Sequence, residues 1–402
     1  ISGYLVDVRQ RLADSGFNCA CLLMTSGGHQ VTIDTAAAFP VRLVESGPAG
    51  GAILAAHLAR TLGESSVLSF DMGGTTAKIC LIDDYELPLS RTFEIDRAHR
   101  FMKGSGMPIK IPVVDMVEIG AGGGSLARVD ELDRVTVGPD SAGADPGPAC
   151  YGQGGQGAAV TDANLLLGRL DPDNFAGGHL SLDSQAAHDA VYQAVGEPLH
   201  THADGAAQAI IEIVDENMAS AGRVHAIEQG CDITNGTLIA FGGAAPLHAV
   251  RVAEKLGMTE VIIPSGAGVG SAIGFLHAPA SHENVRTRYI RLDDLVVEEL
   301  AAMLEEMLQE AEQIVRRASG NRELTKGAKA FMRYEGQGHE ITVDLDLAEI
   351  FRSPAPDAAH LQKVLEEAFV EEYRRLYGRE ITGLGVETLS WVATVSSTPD
   401  TP

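Results

Sequence analysis

The chain has 402 residues, of which 45% are hydrophobic, and its formal net charge is -25. This length and this apolar content predict roughly two or three globular domains with substantial cores, and they exclude a disordered protein. The negative charge argues against nucleic acids and anionic membranes as partners, because either would need a basic surface on the protein.

The cysteine pattern and the lack of sorting signals predict a cytoplasmic protein. The five cysteines are odd in number and lie mostly in apolar or small-residue runs, which favours reduced thiols over a disulfide framework. The sequence has no apolar run of about 18 residues and no charged leader followed by an apolar segment. It opens on Ile1 rather than on Met, so we expect that residues have been removed upstream.

The first 62 residues alternate between helical and strand patterns. An amphipathic pattern predicts a helix over roughly 3–15, and the apolar stretch 19–24 predicts a strand. Glu45 then leads the segment Ser46-Gly-Pro-Ala-Gly-Gly51 into a helix over 52–62. The small side chains of that helix predict close packing against its neighbours.

Two apolar strands joined by a tight glycine turn follow at 67–82. The turn carries an acid, two glycines and two threonines: Asp71, Gly73, Gly74, Thr75 and Thr76. The glycines let the backbone approach an anion, the hydroxyls can donate to it, and the acid can hold a hydrated Mg²⁺. The hairpin therefore predicts a site for nucleotide phosphates, with an ordinary glycine hairpin turn as the alternative.

The stretch from about 84 to 180 is rich in Gly and Pro and predicts long loops, notably at 119–125 and 141–152. Long loops inside a globular protein are usually functional or interfacial. Gly122, Gly123 and Gly124 are therefore candidates to line a nucleotide or substrate cleft, with a rigid structural loop as the alternative.

The next part of the chain predicts an α/β layer. The predicted elements are a helix near 205–229 ended by Gly230, a buried strand at 237–241, a helix from Pro246 to Gly257, a strand at 261–264 and a small-residue helix at 268–278. Gly242, Gly243 and Ala244 place bare backbone at a helix N-terminus, where a nucleotide can approach. An ordinary strand-to-helix turn is the alternative.

The last part of the chain differs in pattern and predicts a separate α+β domain from about 283. Its predicted elements are a strand at 285–292, a helix with the acidic run 298–312, a strand pair around 332–344, a helix near 359–377 and a strand at 387–395. Tyr334 and Gln337 in this part are candidates for an interface or a substrate lid.

Taken in order, the Glu-led helix, the hairpin, the Phe-Gly-Gly turn and the second small-residue helix resemble the second half of the actin, heat-shock chaperone and sugar-kinase superfamily. The resemblance implies a ribonuclease H-like core with an interdomain helix, a phosphate hairpin, an adenosine loop and a second interdomain helix. The superfamily's first phosphate hairpin is missing, because nothing before Ile33 can supply it.

Seven motifs are similar to those of the hydantoinase A and 5-oxoprolinase family, which includes ATP-binding subunits of acetone-type carboxylases. They lie in sequence order at 46–50, 71–75, 119–125, 137–152, 161–168, 241–249 and 333–337. The resemblance implies an actin-like ATPase domain at 1–282, with the Gly/Pro-rich stretch as an insertion, and a C-terminal α+β domain at 283–402. Many relatives carry Asp in place of Lys78, which contacts a phosphate or lies on the solvated side of its strand. Many also carry Gly-Pro or Gly-Ala-Pro where this chain has Ala244-Ala-Pro246.

The resemblance also implies an activity. ATP with Mg²⁺ would phosphorylate the carbonyl oxygen of a cyclic amide or imide, such as a hydantoin or oxoproline, and turn it into a good leaving group. The later step implies a hydantoinase B-type subunit, hence a homo- or hetero-oligomer, and we expect this chain alone to be inactive. Two other hypotheses stay open, namely an ATP-binding subunit of a ketone carboxylase and a non-catalytic nucleotide-dependent assembly module.

The candidate catalytic residues are Asp71, Glu45 and His248. We predict that Asp71 also holds the metal, with a strand-terminal turn acid as the alternative. Glu45 orients a water or the metal, or only caps its helix. His248 is an acid or base facing the cleft, or a packing histidine. Asp162, in the family-like loop, is predicted to be a helix N-cap.

Overall fold

The computed structural model describes residues 1–17, 19–95 and 105–398, so residues 96–104 of the predicted Gly/Pro-rich stretch lie outside the described residues. The α-helices are α1 (Ser2–Asp14), α2 (Ile33–Ala38), α3 (Ser46–Leu62), α4 (Val160–Leu166), α5 (Ser184–Val191), α6 (Ala203–Gln229), α7 (Ala245–Leu256), α8 (Gly270–His277), α9 (Val297–Ser319), α10 (Leu347–Ile350) and α11 (Ala358–Tyr377).

The β-strands are short in the first half of the chain and long near its end. They are β1 (Leu22–Met24), β2 (Gln30–Thr32), β3 (Ser66–Met72), β4 (Ala77–Asp83), β5 (Leu89–Ser90), β6 (Phe93–Ile95), β7 (Met107–Ile109), β8 (Val113–Val114), β9 (Val117–Ile119), β10 (Ser125–Val129), β11 (Val135–Ser141), β12 (Thr237–Phe241), β13 (Glu260–Ile262), β14 (Ser281–Arg291), β15 (Leu324–Tyr334), β16 (Ile341–Leu345) and β17 (Val386–Ser397).

These elements form two compact units. Residues 24–28 and 41–277 make the first, which we call the mixed-sheet unit. Residues 1–23, 29–40 and the chain from residue 278 onward make the second, the antiparallel-sheet unit.

The mixed-sheet unit is built on a five-stranded sheet in the order β13-β12-β3-β4-β9. Strand β12 runs parallel to β13 and β3, whereas β4 runs antiparallel to β3 and β9. Apolar residues alternate between its two faces, as expected of a sheet buried on both sides. Leu68 and Phe70 of β3 belong to the core that includes α6 and α7, whereas Val67 belongs to the core formed with α3.

Helices α3 and α8 pack with almost no space between their backbones. A Cβ on Gly274 of α8 would lie 1.8 Å from the carbonyl oxygen of Gly50 on α3, and a Cβ on Gly51 would lie 2.3 Å from the Phe241 ring. Glycine is required at such contacts because any side chain would collide with backbone or ring atoms. The predicted close packing of the small-residue helices is therefore observed, with each helix as the other's neighbour.

The antiparallel-sheet unit contains a four-stranded sheet in the order β14-β17-β15-β16. Apolar residues of α9 and α11 share one core with this sheet, and Trp391 is fully buried in it. Tyr334 is 2% exposed, and the Tyr373 hydroxyl lies 2.9 Å from Gln337 Nε2. Tyr334 and Gln337 thus serve the packing of this unit rather than an exposed lid.

The unit boundary differs from the one predicted at 282/283. The antiparallel-sheet unit takes the chain from Ala278 onward together with most of the first 40 residues, which the sequence analysis placed in the ATPase domain. Gln30 N donates to Pro279 O at 2.8 Å, and Val31 and Ile33 are buried. These contacts join distant parts of the chain, so no local pattern predicted them.

Most predicted helices and strands outside the loop-rich stretch match observed elements within a few residues. Within 84–180, where long loops and a helix capped by Asp162 were predicted, the described residues form α4 and several strands of two to seven residues. Such short strands carry too few residues for a recognisable alternation.

The five cysteines are free thiols in the described structure. None of the helices in the described ranges has both the length and the apolar character needed to cross a bilayer.

Candidate functional site

A row of charged side chains crosses one end of the mixed sheet. Asp71 on β3 lies directly opposite Lys78 on β4, and Lys78 lies opposite Glu118 on β9. Directly opposed residues on neighbouring strands project to the same face of a sheet. Phe241 on β12 lies opposite Asp71 and packs in the core formed with α3. The charged row therefore lies on the face that α3 covers.

Asp71 is a partly buried carboxylate bound by a hydroxyl group. Ser271 Oγ, in the first turn of α8, donates to Asp71 Oδ2 at 3.0 Å. Burial raises the pKa of Asp71 because it disfavours the charged form, while the Ser271 hydrogen bond and the Lys78 ammonium oppose that shift. A carboxylate that has lost solvent in this way is stabilised by an added cation.

The bend after β3 and the bend after β12 lie side by side. Strand β12 runs parallel to β3 with Phe241 opposite Asp71, and Ala244 N donates to Met72 O at 2.9 Å. Gly242 has a φ of +93°, and a Cβ on it would lie 2.5 Å from Asp71 Oδ1. Glycine is required here because the left-handed backbone and the neighbouring carboxylate both exclude a side chain.

Bare backbone faces open space at both bends. Gly74 and Gly243 are exposed, and a Cβ on either would meet no atom within 4 Å in the part of the chain that the structure describes. In the hairpin turn Gly73 N donates to Thr76 O at 3.1 Å, so Gly74 and Thr75 form the tip. An anionic group can therefore approach the backbone closely at both bends.

The glycine loop at 122–124 supports the hairpin and offers no amide to a ligand. Gly123 N donates to Gly73 O at 3.0 Å, and Gly124 N donates to Gly74 O at 2.6 Å. Gly122 N bonds within its own loop at 2.9 Å, and all three glycines are buried. The predicted cofactor contact of Gly122, Gly123 and Gly124 is thus replaced by the structural alternative, because their amides already have protein acceptors.

Thr161 of α4 extends this support, a role that the sequence did not predict, whereas its neighbour Asp162 binds backbone amides outside the 122–124 loop. The backbone N and the Oγ1 of Thr161 both donate to Gly123 O, at 2.8 and 2.7 Å. Asp162 accepts from the backbone amides of Cys150 and Ala159, both at 2.8 Å, and its burial raises its pKa. The N-cap prediction for Asp162 is wrong in detail, since the helix cap is Ala159 and Asp162 is the third helical residue.

Glu45 and Lys78 form an ion pair beside the hairpin. Glu45 precedes α3 in a left-handed conformation with φ 60° and makes no capping hydrogen bond with its side chain. Its Oε2 lies 3.6 Å from Lys78 Nζ, and Glu118 Oε1 lies 3.0 Å from the same nitrogen. The helix-capping alternative for Glu45 and the solvated alternative for Lys78 are therefore wrong, because each side chain is directed to an opposite charge.

His248 lies in the core between α4, α6 and α7. The side chain is fully buried, with Nδ1 2.6 Å from Asp215 Oδ1 and Nε2 3.2 Å from Asn164 Nδ2. Because an amide nitrogen only donates, Nε2 accepts and Nδ1 carries the hydrogen toward Asp215. Both ring nitrogens are engaged, so the geometry corrects the catalytic prediction for His248 in favour of the packing alternative.

The side chains at the two bends could hold a magnesium ion only together with the oxygens of a bound phosphate. Across residues 1–17, 19–95 and 105–398, no three His, Cys, Asp or Glu side chains converge as a metal-binding set. Mg²⁺ at phosphate sites usually keeps several waters and uses one or two protein carboxylates together with phosphate oxygens. Asp71, which is poorly solvated and adjoins the exposed hairpin, fits that limited role.

A comparison with known families assigns the chain to a class. A family model described as hydantoinase/oxoprolinase matches residues 1–284, which is more than two thirds of the 402 residues. The chain belongs to the hydantoinase/oxoprolinase family. The family resemblance predicted from the seven motifs is thereby confirmed.

Two curated relatives show the range of proteins in this group. The chain is 34% identical to the caprolactamase subunit alpha of Pseudomonas jessenii over 346 residues, which are 84% of this chain and 47% of that protein. It is 30% identical to the acetone carboxylase beta subunit of Xanthobacter autotrophicus over 366 residues, which are 89% of this chain and 48% of that protein. The chain spans about half the length of these relatives.

A solved structure matches almost the whole chain. The crystal structure of the ATP-dependent caprolactamase from Pseudomonas jessenii superimposes with a TM-score of 0.76 and 30% sequence identity, covering 99% of this chain and 56% of that one. The mixed α/β class predicted from the sequence is confirmed by this match.

Proposed function

We propose that this chain is the ATP-binding subunit of an ATP-dependent hydrolase that phosphorylates the carbonyl oxygen of a cyclic amide. One observation carries the proposal, namely that the bends after β3 and β12 lie side by side, with Asp71 against Gly242. Parallel neighbouring strands bring such bends to one edge of a sheet, where ligands of α/β proteins bind. The similarity to an ATP-dependent caprolactamase supports the choice of reaction.

The exposed backbone and hydroxyls of the hairpin are assigned to the phosphates. Gly74, Thr75 and Thr76 would donate from the turn, while Gly73, whose amide donates to Thr76 O, would let the backbone come close to the phosphates. Gly243 would lie against the nucleotide at the second bend. Gly242 and Ala244 shape that bend, since their amides donate to Ala267 O and Met72 O, each within 3 Å. Mg²⁺, when bound, would neutralise phosphate charge and be held by Asp71.

The positions of the helices agree with an actin-like core. Helices α3 and α8 would be the two interdomain helices, since they pack tightly on each other and direct Glu45 and Ser271 toward the charged row. The hairpin would then be a phosphate hairpin, and the Gly242 bend the adenosine loop. This assignment extends the observed mixed α/β fold to a specific superfamily.

The proposed chemistry balances with water as the only further reactant. The amide oxygen attacks the terminal phosphorus of ATP, and the bond between that phosphorus and the ADP oxygen breaks. The amide nitrogen loses its proton. Phosphorylation makes the carbon a better electrophile, because the oxygen no longer shares the amide resonance. Water then adds to the activated carbon, and the C–N bond breaks as the nitrogen regains a proton. A second water hydrolyses the resulting acyl phosphate and releases phosphate. The chain's residues would hold and orient the nucleotide in the first step.

The hydrolytic step is assigned to a hydantoinase B-type partner subunit. Two relatives are themselves named as single subunits, the caprolactamase subunit alpha and the acetone carboxylase beta subunit. We therefore propose a hetero-oligomer. The expectation that the chain alone has no turnover stays a prediction.

The test is calorimetric titration of ATP into the chain with MgCl₂, repeated with Asp71→Asn. The wild type should bind ATP, and the variant should bind at least about tenfold more weakly, because it lacks the metal-holding charge. Asp344→Asn, on β16 with its side chain 82% exposed, is the matched control and should bind as the wild type does. Equal binding by wild type and Asp71→Asn would contradict the site. Tight binding with no turnover beside the partner would favour the assembly module.

A second candidate reaction is supported by the acetone carboxylase relative. In that case the activated carbonyl would belong to a ketone awaiting carboxylation, and the same residues would bind ATP. The two candidates differ in their co-substrate, because a carboxylase requires bicarbonate and a lactam hydrolase does not.

A further inference from the structure

Lys78 is a cation placed among three acids in the proposed site. Its Nζ lies 3.0 Å from Glu118 Oε1, 3.6 Å from Glu45 Oε2 and 3.4 Å from Thr76 Oγ1. Asp71 lies opposite it on the neighbouring strand. The surrounding negative charge opposes the approach of a phosphate, so a cation at this position has a direct electrostatic effect on binding.

We propose that Lys78 binds the terminal phosphate of the nucleoside triphosphate. In the free protein Glu45 and Glu118 hold the ammonium beside the hairpin, and in the complex the phosphate becomes one of its partners. The inference rests on the proposed function, since it takes a nucleotide to lie across the two bends. Lys78 would then act on the phosphates together with the hairpin backbone, the threonine hydroxyls and Asp71.

The order of strands determines which phosphate Lys78 meets. The Gly242 bend follows β12, Asp71 is on β3 and Lys78 is on β4, and these three strands are consecutive neighbours in the sheet. Neighbouring strands are about 4.8 Å apart, so β4 lies roughly 10 Å from β12. A nucleotide whose nucleoside lies at the Gly242 bend therefore extends its phosphate chain across Asp71 toward Lys78.

The ion pairs of Lys78 leave it available to a phosphate. Its partner Glu118 is 48% exposed, and Lys78 itself is 18% exposed. Ion pairs with an exposed partner are weak because water screens them, whereas a terminal phosphate carries more charge and several acceptor oxygens. The flexible four-carbon stem of lysine allows its ammonium to change partner without moving β4.

The experiment is calorimetric titration of ATP and of ADP, each with MgCl₂, into the full chain and its Lys78→Gln variant. Loss of a charge-assisted contact should weaken ATP binding by about 10- to 100-fold and ADP binding by much less, because ADP lacks the terminal phosphate. Lys329→Gln is the matched control. Lys329 also lies on a strand opposite an acid, with Nζ 3.1 Å from Asp344 Oδ1, and its substitution should leave both affinities unchanged.

Glu118→Gln separates phosphate binding from a purely structural ion pair. If Lys78 only stabilised the fold through Glu118, both variants would have the same effect on ATP affinity. If Lys78 binds phosphate, Glu118→Gln should retain or tighten ATP binding, since it removes a negative charge and a competing partner. Equal ATP affinities for wild type and Lys78→Gln, or equal weakening of ATP and ADP, would overturn the inference alone. A wild-type chain that binds no nucleotide would overturn the proposed function and this inference together.

Discussion

At the scale of single residues, Gly242 and Gly243 are adjacent in sequence and different in role. A Cβ on Gly242 would lie 2.5 Å from both Asp71 Oδ1 and Met72 O, at a φ of +93°. A Cβ on Gly243 would meet nothing within 4 Å in the described chain. The first glycine is therefore required by the fold, whereas the second leaves space that the proposed nucleotide would use.

Alanine substitutions should separate these roles. Gly242→Ala should lower the free energy of unfolding by about 2–4 kcal/mol, because it combines backbone strain with a collision. Gly243→Ala should keep the wild-type unfolding temperature but weaken ATP binding by about tenfold, because its methyl group occupies the approach to the backbone. Denaturant unfolding and calorimetry measure the two effects. Equal loss of stability in both variants would contradict the assignment.

The motif residues show how far the sequence predicts single positions. The position of Asp71 beside the Gly73-Gly74 turn was predictable, because a strand, an acid and a glycine turn form a local pattern. The phosphate and metal roles of these residues stay predictions. The role of His248 was not predictable, since its partners Asp215 and Asn164 are 33 and 84 residues away. Burial and long-range hydrogen bonds decide such roles, and they follow from the tertiary structure alone.

At the scale of elements, the α3–α8 pair determines how Glu45 and Ser271 approach the charged row. Gly274→Ala would place a methyl group 1.8 Å from the Gly50 carbonyl oxygen and should destabilise the protein by about 2–4 kcal/mol. Gly47→Ala on α3, where a Cβ meets nothing within 4 Å, should change the unfolding free energy by no more than about 1 kcal/mol. Chemical denaturation compares the two variants, and similar values would show that the helices separate easily.

The same helix pair should make stability depend on pH. The rings of His57 on α3 and His277 on α8 stack with centroids 3.9 Å apart, and burial, His277 and Arg60 lower the pKa of His57. A histidine whose pKa is lowered by folding binds fewer protons folded than unfolded. Stability is therefore lost as pH falls toward and below the ordinary histidine pKa of about 6.5.

His57→Gln should flatten that dependence. Thermal unfolding of wild type and variant between about pH 7.5 and pH 5.5 measures it, and the variant should lose less stability over this range. His188→Gln is a control on the exposed surface of the same unit, where the ring contacts Asp189. A wild-type slope equal to that of His57→Gln would show that the stacked pair does not titrate.

The close packing of α3 and α8 was predictable because the sequence indicates two helices made of small residues. Closely spaced glycines and alanines exclude a loosely packed helix, so the packing mode followed from composition. The support of the hairpin by the 122–124 loop did not, because the hydrogen bonds of Gly123 and Gly124 reach about 50 residues back along the chain. Sequence patterns thus predicted the elements of the site better than the contacts between them.

At the scale of the whole molecule, the two compact units do not follow one another in the sequence, because each is built from separate stretches of the chain. The N-terminal strand β2 joins the unit formed mainly by the chain from residue 278 onward. Composition revealed a change of pattern near residue 283, five residues from the observed start at Ala278. It did not reveal that residues 1–23 and 29–40 belong to the same unit as the chain from residue 278, because pairing between distant segments leaves no local signal.

Activity of the assembled protein distinguishes the two proposed reactions. We expect the chain, coexpressed with a hydantoinase B-type subunit, to release ADP in the presence of a lactam, an oxoproline or a hydantoin without added bicarbonate. The reason is that phosphorylation of the amide oxygen needs only ATP, and water completes the ring opening. Coupled measurement of ADP and of the ring-opened product tests this. ADP release that occurs only with a ketone and bicarbonate would reject the hydrolase in favour of the carboxylase. The complex made with the Asp71→Asn variant should release no ADP with a lactam or with a ketone, because both reactions use the same phosphate site.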